Sequence, residues 1–106
     1  MSDNKVWAII DDIRELNCEL IAKNARDGIK MVMENFDRIE CLCLDHDLGE
    51  AMNGYDVLCH LMYRGFVPDH VQLVTSNPVG RTNMARVLEH YGYETKDGRN
   101  FYKVEK

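Results

Sequence analysis

Three strings in this chain carry residue types suited to chemistry on phosphate. Asp11-Asp12 follows the apolar run Val6–Ile10, Asp45-His46-Asp47 follows Cys41–Leu44, and Ser76-Asn77, with Arg81 beyond it, closes the run from Val71 to Thr75. Carboxylates brought close together repel unless a hard cation, protons or a basic side chain neutralises them. An all-oxygen donor set with open positions suits Mg²⁺, which keeps waters and bridges to phosphate. Asp11, Asp12 and Asp45 are therefore the candidate Mg²⁺ ligands. Asp45, His46 and Asp47 are the candidate catalytic group. An imidazole with an ordinary pKa of about 6.5 suits proton transfer near neutrality, and Asp47 would orient it or hold a metal-bound water. Ser76, Asn77 and the first N–H groups of a helix opening at Pro78 make a candidate anion site, to which Arg81 would add a bidentate grip.

Each string also has a plainer reading. An Asp pair after a strand often caps a turn, an Asp-His-Asp run can be a solvated loop, and Asn77-Pro78 is by itself a helix start. What favours chemistry is that all three fall at the ends of expected strands. In open α/β sheets ligands bind at the carboxyl ends of the strands, near the switch point in strand order.

The elements that would position these strings are legible. Lys5–Ile10 and Glu40–Leu44 are short unbroken apolar runs ending in acids, as in buried parallel strands. Cys18–Ala22 is a more polar strand, suited to an edge, and Val71–Thr75 is a fourth. Ile29, Val32, Met33 and Phe36 share one helical face, with Asn24 as cap and Asp27 in the first turn. Asn53 caps a second helix with Val57, Leu58, Leu61 and Met62 on its apolar face, and Gly65 suits a left-handed end. A third helix opens at Pro78, carries Met84, Leu88 and Tyr91 as its buried stripe, and ends at Gly92. Tyr93–Val104, with Lys96-Asp97-Gly98-Arg99 at its centre, reads as a hairpin. The alternation predicts one domain over 1–106, an α/β sandwich with a mostly parallel sheet. The stretch from Asp12 to Cys18 is too short for a crossover helix. Either that link is an irregular turn or the second strand is not parallel to the first.

Composition narrows the function. The chain has 106 residues, 13 basic and 18 acidic, for a net charge of −5, which disfavours non-specific DNA binding while leaving room for a local basic pocket. No apolar run is long enough to span a bilayer, so no membrane partner is expected. Met1–Lys5 has no long apolar segment of a secretory signal. Cys18, Cys41, Cys43 and Cys59 form no CxxC pair and read as reduced core thiols in a cytoplasmic protein. His60, His70 and His90 read as surface or helix-side residues.

These residues resemble the receiver domain of two-component signalling. Asp11-Asp12 looks like its acidic pair, Asp45 like its phospho-acceptor, and Thr75 or Ser76 like its hydroxyl. A narrower resemblance rests on Leu44-Asp45-His46-Asp47-Leu48-Gly49, Asn53-Gly54-Tyr55-Asp56-Val57-Leu58, Ser76-Asn77-Pro78-Val79-Gly80-Arg81 and Met84. Together these strings are similar to the receiver-like family named for cyclic-phosphate processing, which occurs in bacteria and their phages near RNA-repair genes. The resemblance implies a receiver-like (flavodoxin-like) three-layer sandwich with a shortened first crossover and a C-terminal hairpin. It implies a cyclic-phosphate RNA end or a cyclic nucleotide as substrate of an Mg²⁺-dependent phosphoesterase. One departure is the missing helix after the first strand. Another is that Lys96, the candidate for the lysine that ends a receiver's fifth strand, lies in the hairpin region. Two other functions stay open: a stand-alone receiver phosphorylated on Asp45, and a non-catalytic module that sequesters a nucleotide or inhibits a basic partner protein.

Overall fold

The computed structural model describes residues 5–104; the Met1–Asn4 part of the segment read for a signal lies outside them. The elements are β1 (Val6–Ile10), β2 (Leu20–Ala22), α1 (Ala25–Asn35), a 3₁₀ turn (Phe36–Arg38), β3 (Ile39–Leu44), α2 (Gly54–Arg64), β4 (His70–Leu73), α3 (Pro78–His90), β5 (Tyr93–Thr95) and β6 (Asn100–Lys103). They form one sheet in the order β2-β1-β3-β4-β6-β5. The first four strands are mutually parallel, and β6 runs antiparallel to both β4 and β5. This is the mostly parallel α/β sheet the alternation predicts and the receiver-like arrangement the resemblance implies, with β2 at an edge. Among the described residues no helix is long and apolar enough to cross a membrane.

The short first link is an irregular turn, and β2 is parallel to β1. Leu20 is level with Ala8, so beyond Ile10 the chain steps back only two residues' rise, about 7 Å. A crossover helix is not needed over that distance. Leu16 (φ 50°) and Asn17 (φ 58°) reverse the chain in the left-handed region, where a leucine is strained. The Trp7 carbonyl then accepts from Glu19 N at 3.1 Å, and Glu19 Oε1 accepts from Trp7 N at 2.9 Å.

The helices share one core with one face of the sheet. Val32 of α1, Val57, Leu58 and Leu61 of α2, and Met84 and Leu88 of α3 pack with Ala8, Ile10, Leu42, Leu44, Val71, Leu73 and Phe101. Each fully buried aliphatic side chain contributes about 1.5–3 kcal/mol, and together they fix where the strands end. Among the described residues the opposite face carries no helix, only a thinner layer, so the third layer of the expected sandwich is missing there, as the link without a crossover helix requires. Ile9, Cys41 and Cys43 are capped by Cys18 from the link, with Trp7 and Val74 packed beside them. The cysteines serve there as small core residues, and all four are free thiols.

Some details differ from expectation. β4 ends at Leu73, so Thr75 lies beyond the strand. Tyr91 is not part of a buried stripe: α3 stops at His90, and Tyr91 turns out of the helix and is 48% exposed. His70 is a strand residue, stacked on Tyr102 with ring centroids 4.3 Å apart.

Candidate functional site

The parallel register brings the ends of β1 and β3 side by side. Ile10 pairs with Leu44, so the next residues, Asp11 and Asp45, emerge next to each other. Asp45 N donates to the Ile10 carbonyl at 3.0 Å and Asp11 N to the Ala22 carbonyl at 3.1 Å. Both aspartates are buried, Asp11 completely. Asp12 joins them: one carboxylate oxygen from each of Asp11, Asp12 and Asp45 lies within 4.8 Å of the others. Oxygens around a Mg²⁺ at about 2.1 Å lie no more than about 4.2 Å apart. A small contraction, favoured once a cation removes the repulsion, would close the set. The residues therefore fit a hard divalent cation in number, donor type and spacing.

A positive side chain that sequence reasoning missed stands in this cluster. Arg14 Nη1 donates to Asp11 Oδ2 at 2.8 Å and lies 3.6 Å from Asp45 Oδ2. The signal for it was a basic residue three positions after the acid in a link too short to be helical. Asp11 Oδ1 accepts from Ile13 N and Arg14 N, so one carboxylate shapes the turn and holds the guanidinium it carries. The hydrogen bond to Asp11 raises the pKa of Arg14. Burial, followed by the nearby Asp11 charge, raises that of Asp45. The Thr75 hydroxyl, the His46 N–H and Arg14 act in the opposite direction.

The Asp45-His46-Asp47 string is tied to the start of α3. His46 N donates to Asp45 Oδ1 at 2.8 Å, and His46 Nδ1 lies 3.0 Å from Asp47 Oδ1. Asn77 Nδ2 reaches both Asp47 oxygens, at 3.5 and 3.4 Å. The Asp47 carboxyl pKa is lowered, chiefly by its hydrogen bond with His46 and also by Asn77. With Nδ1 engaged, Nε2 is the ring nitrogen left for a ligand; it has no hydrogen-bond partner among the described residues. The imidazole is packed tightly, because a Cβ on Gly80 would overlap it. Gly54 is equally constrained: its N–H donates to the His46 carbonyl at 2.7 Å, and a Cβ there would overlap the Asp45 carbonyl. An Asn53–Asp56 capping box fixes the α2 start. Glu50 Oε2 accepts from Ala25 N at 2.7 Å, linking the same loop to α1.

The expected anion site is only partly available. Asn77 caps α3 through Gly80 N at 3.1 Å, Arg81 N donates to the Asn77 carbonyl, and Pro78 has no N–H. Val79 N–H is the first-turn donor without a partner among the described residues. Ser76 is exposed and Arg81 half-buried. The buried hydroxyl is that of Thr75, 4% exposed, which accepts from Asn77 N at 3.0 Å.

Lys96 is not at the acids. It follows β5, and β6 separates β5 from β4, which puts β5 about 10 Å from β4. Lys96 instead lines a concavity of about 370 Å³ on the hairpin with Glu94, Asp97, Asn100 and Tyr102. That hollow holds no convergent catalytic groups, so donor chemistry rather than concavity marks the site.

No curated protein and no solved structure gives a match to the chain. A family model described as the cyclic-phosphate processing receiver domain matches residues 6–90. That span takes in β1 through α3, with the acidic cluster, the His46 loop and the Asn77 cap, and the chain belongs to that family.

Proposed function

We propose that this domain is an Mg²⁺-dependent phosphoesterase acting on a cyclic phosphate, either an RNA 2′,3′-cyclic end or a cyclic nucleotide. The observation that carries the reading is the juxtaposition of the Asp11–Asp12–Asp45 cluster with the Asp47–His46 pair, at one end of the sheet and beneath the first turn of α3. Asp11, Asp12 and Asp45 would hold Mg²⁺, which when bound supplies Lewis-acid neutralisation of the phosphate charge. Asp47 holds Nδ1 of His46, leaving Nε2 to take a proton from the attacking water or give one to the leaving ribose oxygen. Arg81 and the Val79 N–H would take the remaining phosphate charge.

The test is hydrolysis of a 2′,3′-cyclic nucleotide with Mg²⁺ against EDTA. Ring opening that needs Mg²⁺ and is lost in both Asp45→Asn and His46→Ala supports the reading. Activity unchanged when both substitutions are combined would sink it.

A second reading is favoured by the buried Thr75 hydroxyl, which acts to lower the pKa of Asp45. In that reading Asp45 is a phospho-acceptor. Incubation with acetyl phosphate and Mg²⁺, followed by intact mass, separates the two. A lasting single phosphate adduct absent from Asp45→Asn favours the acceptor.

A further inference from the structure

We propose that Arg14 is a resident cation that competes with the divalent ion for the acidic cluster. The proposal rests on the reading that Asp11, Asp12 and Asp45 take Mg²⁺, and it concerns which oxygens are open to it. Asp11 Oδ1 is committed to two backbone N–H groups, and Asp45 Oδ1 to His46 N. The Oδ2 atoms remain, and Arg14 Nη1 lies against both, at 2.8 and 3.6 Å. An ion bound between Asp11 and Asp45 has to use the positions that Nη1 occupies. The two cations cannot share them, because like charges at that separation repel strongly where water is excluded.

The arrangement permits an exchange. The Arg14 side chain is 37% exposed, so it can swing into solvent about its flexible stem. Its backbone stays anchored through Asp11 Oδ1, which does not depend on where the guanidinium points. The carboxylates behave differently. Asp11 is fully buried, and leaving it without a cation is costly. The cluster is therefore filled in two alternative ways, by the guanidinium or by the divalent ion. The affinity for the ion is reduced by the fraction of molecules in which Arg14 is out. A released guanidinium stands at the rim of the site, where a phosphate arriving with the ion would meet it.

The experiment is a pair of titrations on the whole chain. Mg²⁺ is titrated by calorimetry into the wild type and into Arg14→Gln, and thermal unfolding of both is followed in EDTA and in saturating Mg²⁺. The expected result is binding of Mg²⁺ at least tenfold tighter in Arg14→Gln. The variant should also melt lower than the wild type in EDTA and gain more from Mg²⁺. Equal or weaker binding by the variant overturns the competition while leaving the cation site standing. No Mg²⁺ binding by either protein overturns both. A measurement on the wild type guards against a variant that does not fold: the Arg14 side-chain NMR signals, shielded from exchange in EDTA, should become fast-exchanging as Mg²⁺ is added. Signals unmoved at saturating Mg²⁺ overturn the proposal.

Discussion

The imidazole of His46 packs directly against the Cα of Gly80, the third residue of α3. That contact joins the loop after β3 to the helix after β4, and it needs a residue without a side chain. Gly80→Ala would drive its methyl into the ring. Overpacking of this kind costs about 1–3 kcal/mol, although alanine is worth about 1 kcal/mol more than glycine inside a helix. Urea unfolding should show Gly80→Ala destabilised in the wild-type background and neutral or stabilised in His46→Ala. Additive effects in the double variant would show that the ring is not what Gly80 accommodates.

Gly54→Ala should be worse, and His46→Ala should not rescue it. The methyl there meets the Asp45 carbonyl, which is backbone and is fixed between β3 and α2. The expected loss is at the top of the range of about 1–3 kcal/mol for overpacking, or above it, read as a lower urea midpoint. The displaced Asp45 should also weaken Mg²⁺ binding. A variant as stable as the wild type would mean that α2 can shift without disturbing Asp45.

β1 and β3 were legible because each is a short, largely apolar run that stops at an acid, at Ile10–Asp11 and Leu44–Asp45. The starts of α2 and α3 were legible because Asn53 and Asn77 are good side-chain caps and Pro78 suits the first helical position. What escaped was set by contacts distant in sequence. Arg14 lies in a link with no periodicity, and only the folded turn around Asp11 places its guanidinium at Asp45. The hairpin was foreseen, but not that β6 would insert beside β4 and carry Lys96 two strands away. Burial of Thr75 rather than Ser76 depends on where β4 ends, and pattern reading misplaced that end by two residues. Tyr91 keeps the helical spacing of Met84 and Leu88 but falls just past the last helical residue.

Arg81 lies one turn into α3, half-buried and without a side-chain partner among the described residues. If its guanidinium grips phosphate, Arg81→Ala should lose about 1.5–3 kcal/mol of binding, a rise in Kd of about 10- to 150-fold. Ser76→Ala should lose less. Titration of a non-hydrolysable cyclic nucleotide analogue in Mg²⁺ checks both. An Arg81→Ala Kd within twofold of the wild type removes this residue from the site.

The cysteines should differ in reactivity according to their surroundings. Burial, the first cause, followed by the neighbouring Cys43, pushes the Cys18 thiol up to about 12. The Cys43 thiol is raised further, first by its hydrogen bond with Cys41 and then by burial. The thiolate is the reactive species, so neither should alkylate in the folded state at pH 8. Cys59, on α2, is only partly buried. Iodoacetamide followed by peptide mass spectrometry should label Cys59 in the native protein and all four cysteines in urea. Early native labelling of Cys18 or Cys43 would mean that the thin layer over that face opens readily.

The hairpin should lose stability in acid through one carboxylate. Asp97 accepts from Arg99 N at 2.8 Å, Asn100 N at 2.7 Å and Asn100 Nδ2 at 3.0 Å. The Asn100 backbone N–H is the largest cause of a strongly lowered pKa, followed by the Asn100 side chain and the Arg99 N–H. An unfolded Asp titrates near about 3.9. With the folded value below that, the stabilisation is complete above about pH 4 and is lost as pH falls toward the folded pKa. Asp97→Ala removes the acceptor at every pH. The stability gap between wild type and Asp97→Ala should therefore be widest at neutral pH and narrow steadily below about pH 4, as read by urea unfolding from pH 2 to 7. A gap that stays constant down to pH 2 would show that the charge on Asp97 does not hold the turn. A gap that widens in acid would reverse the sign of the argument.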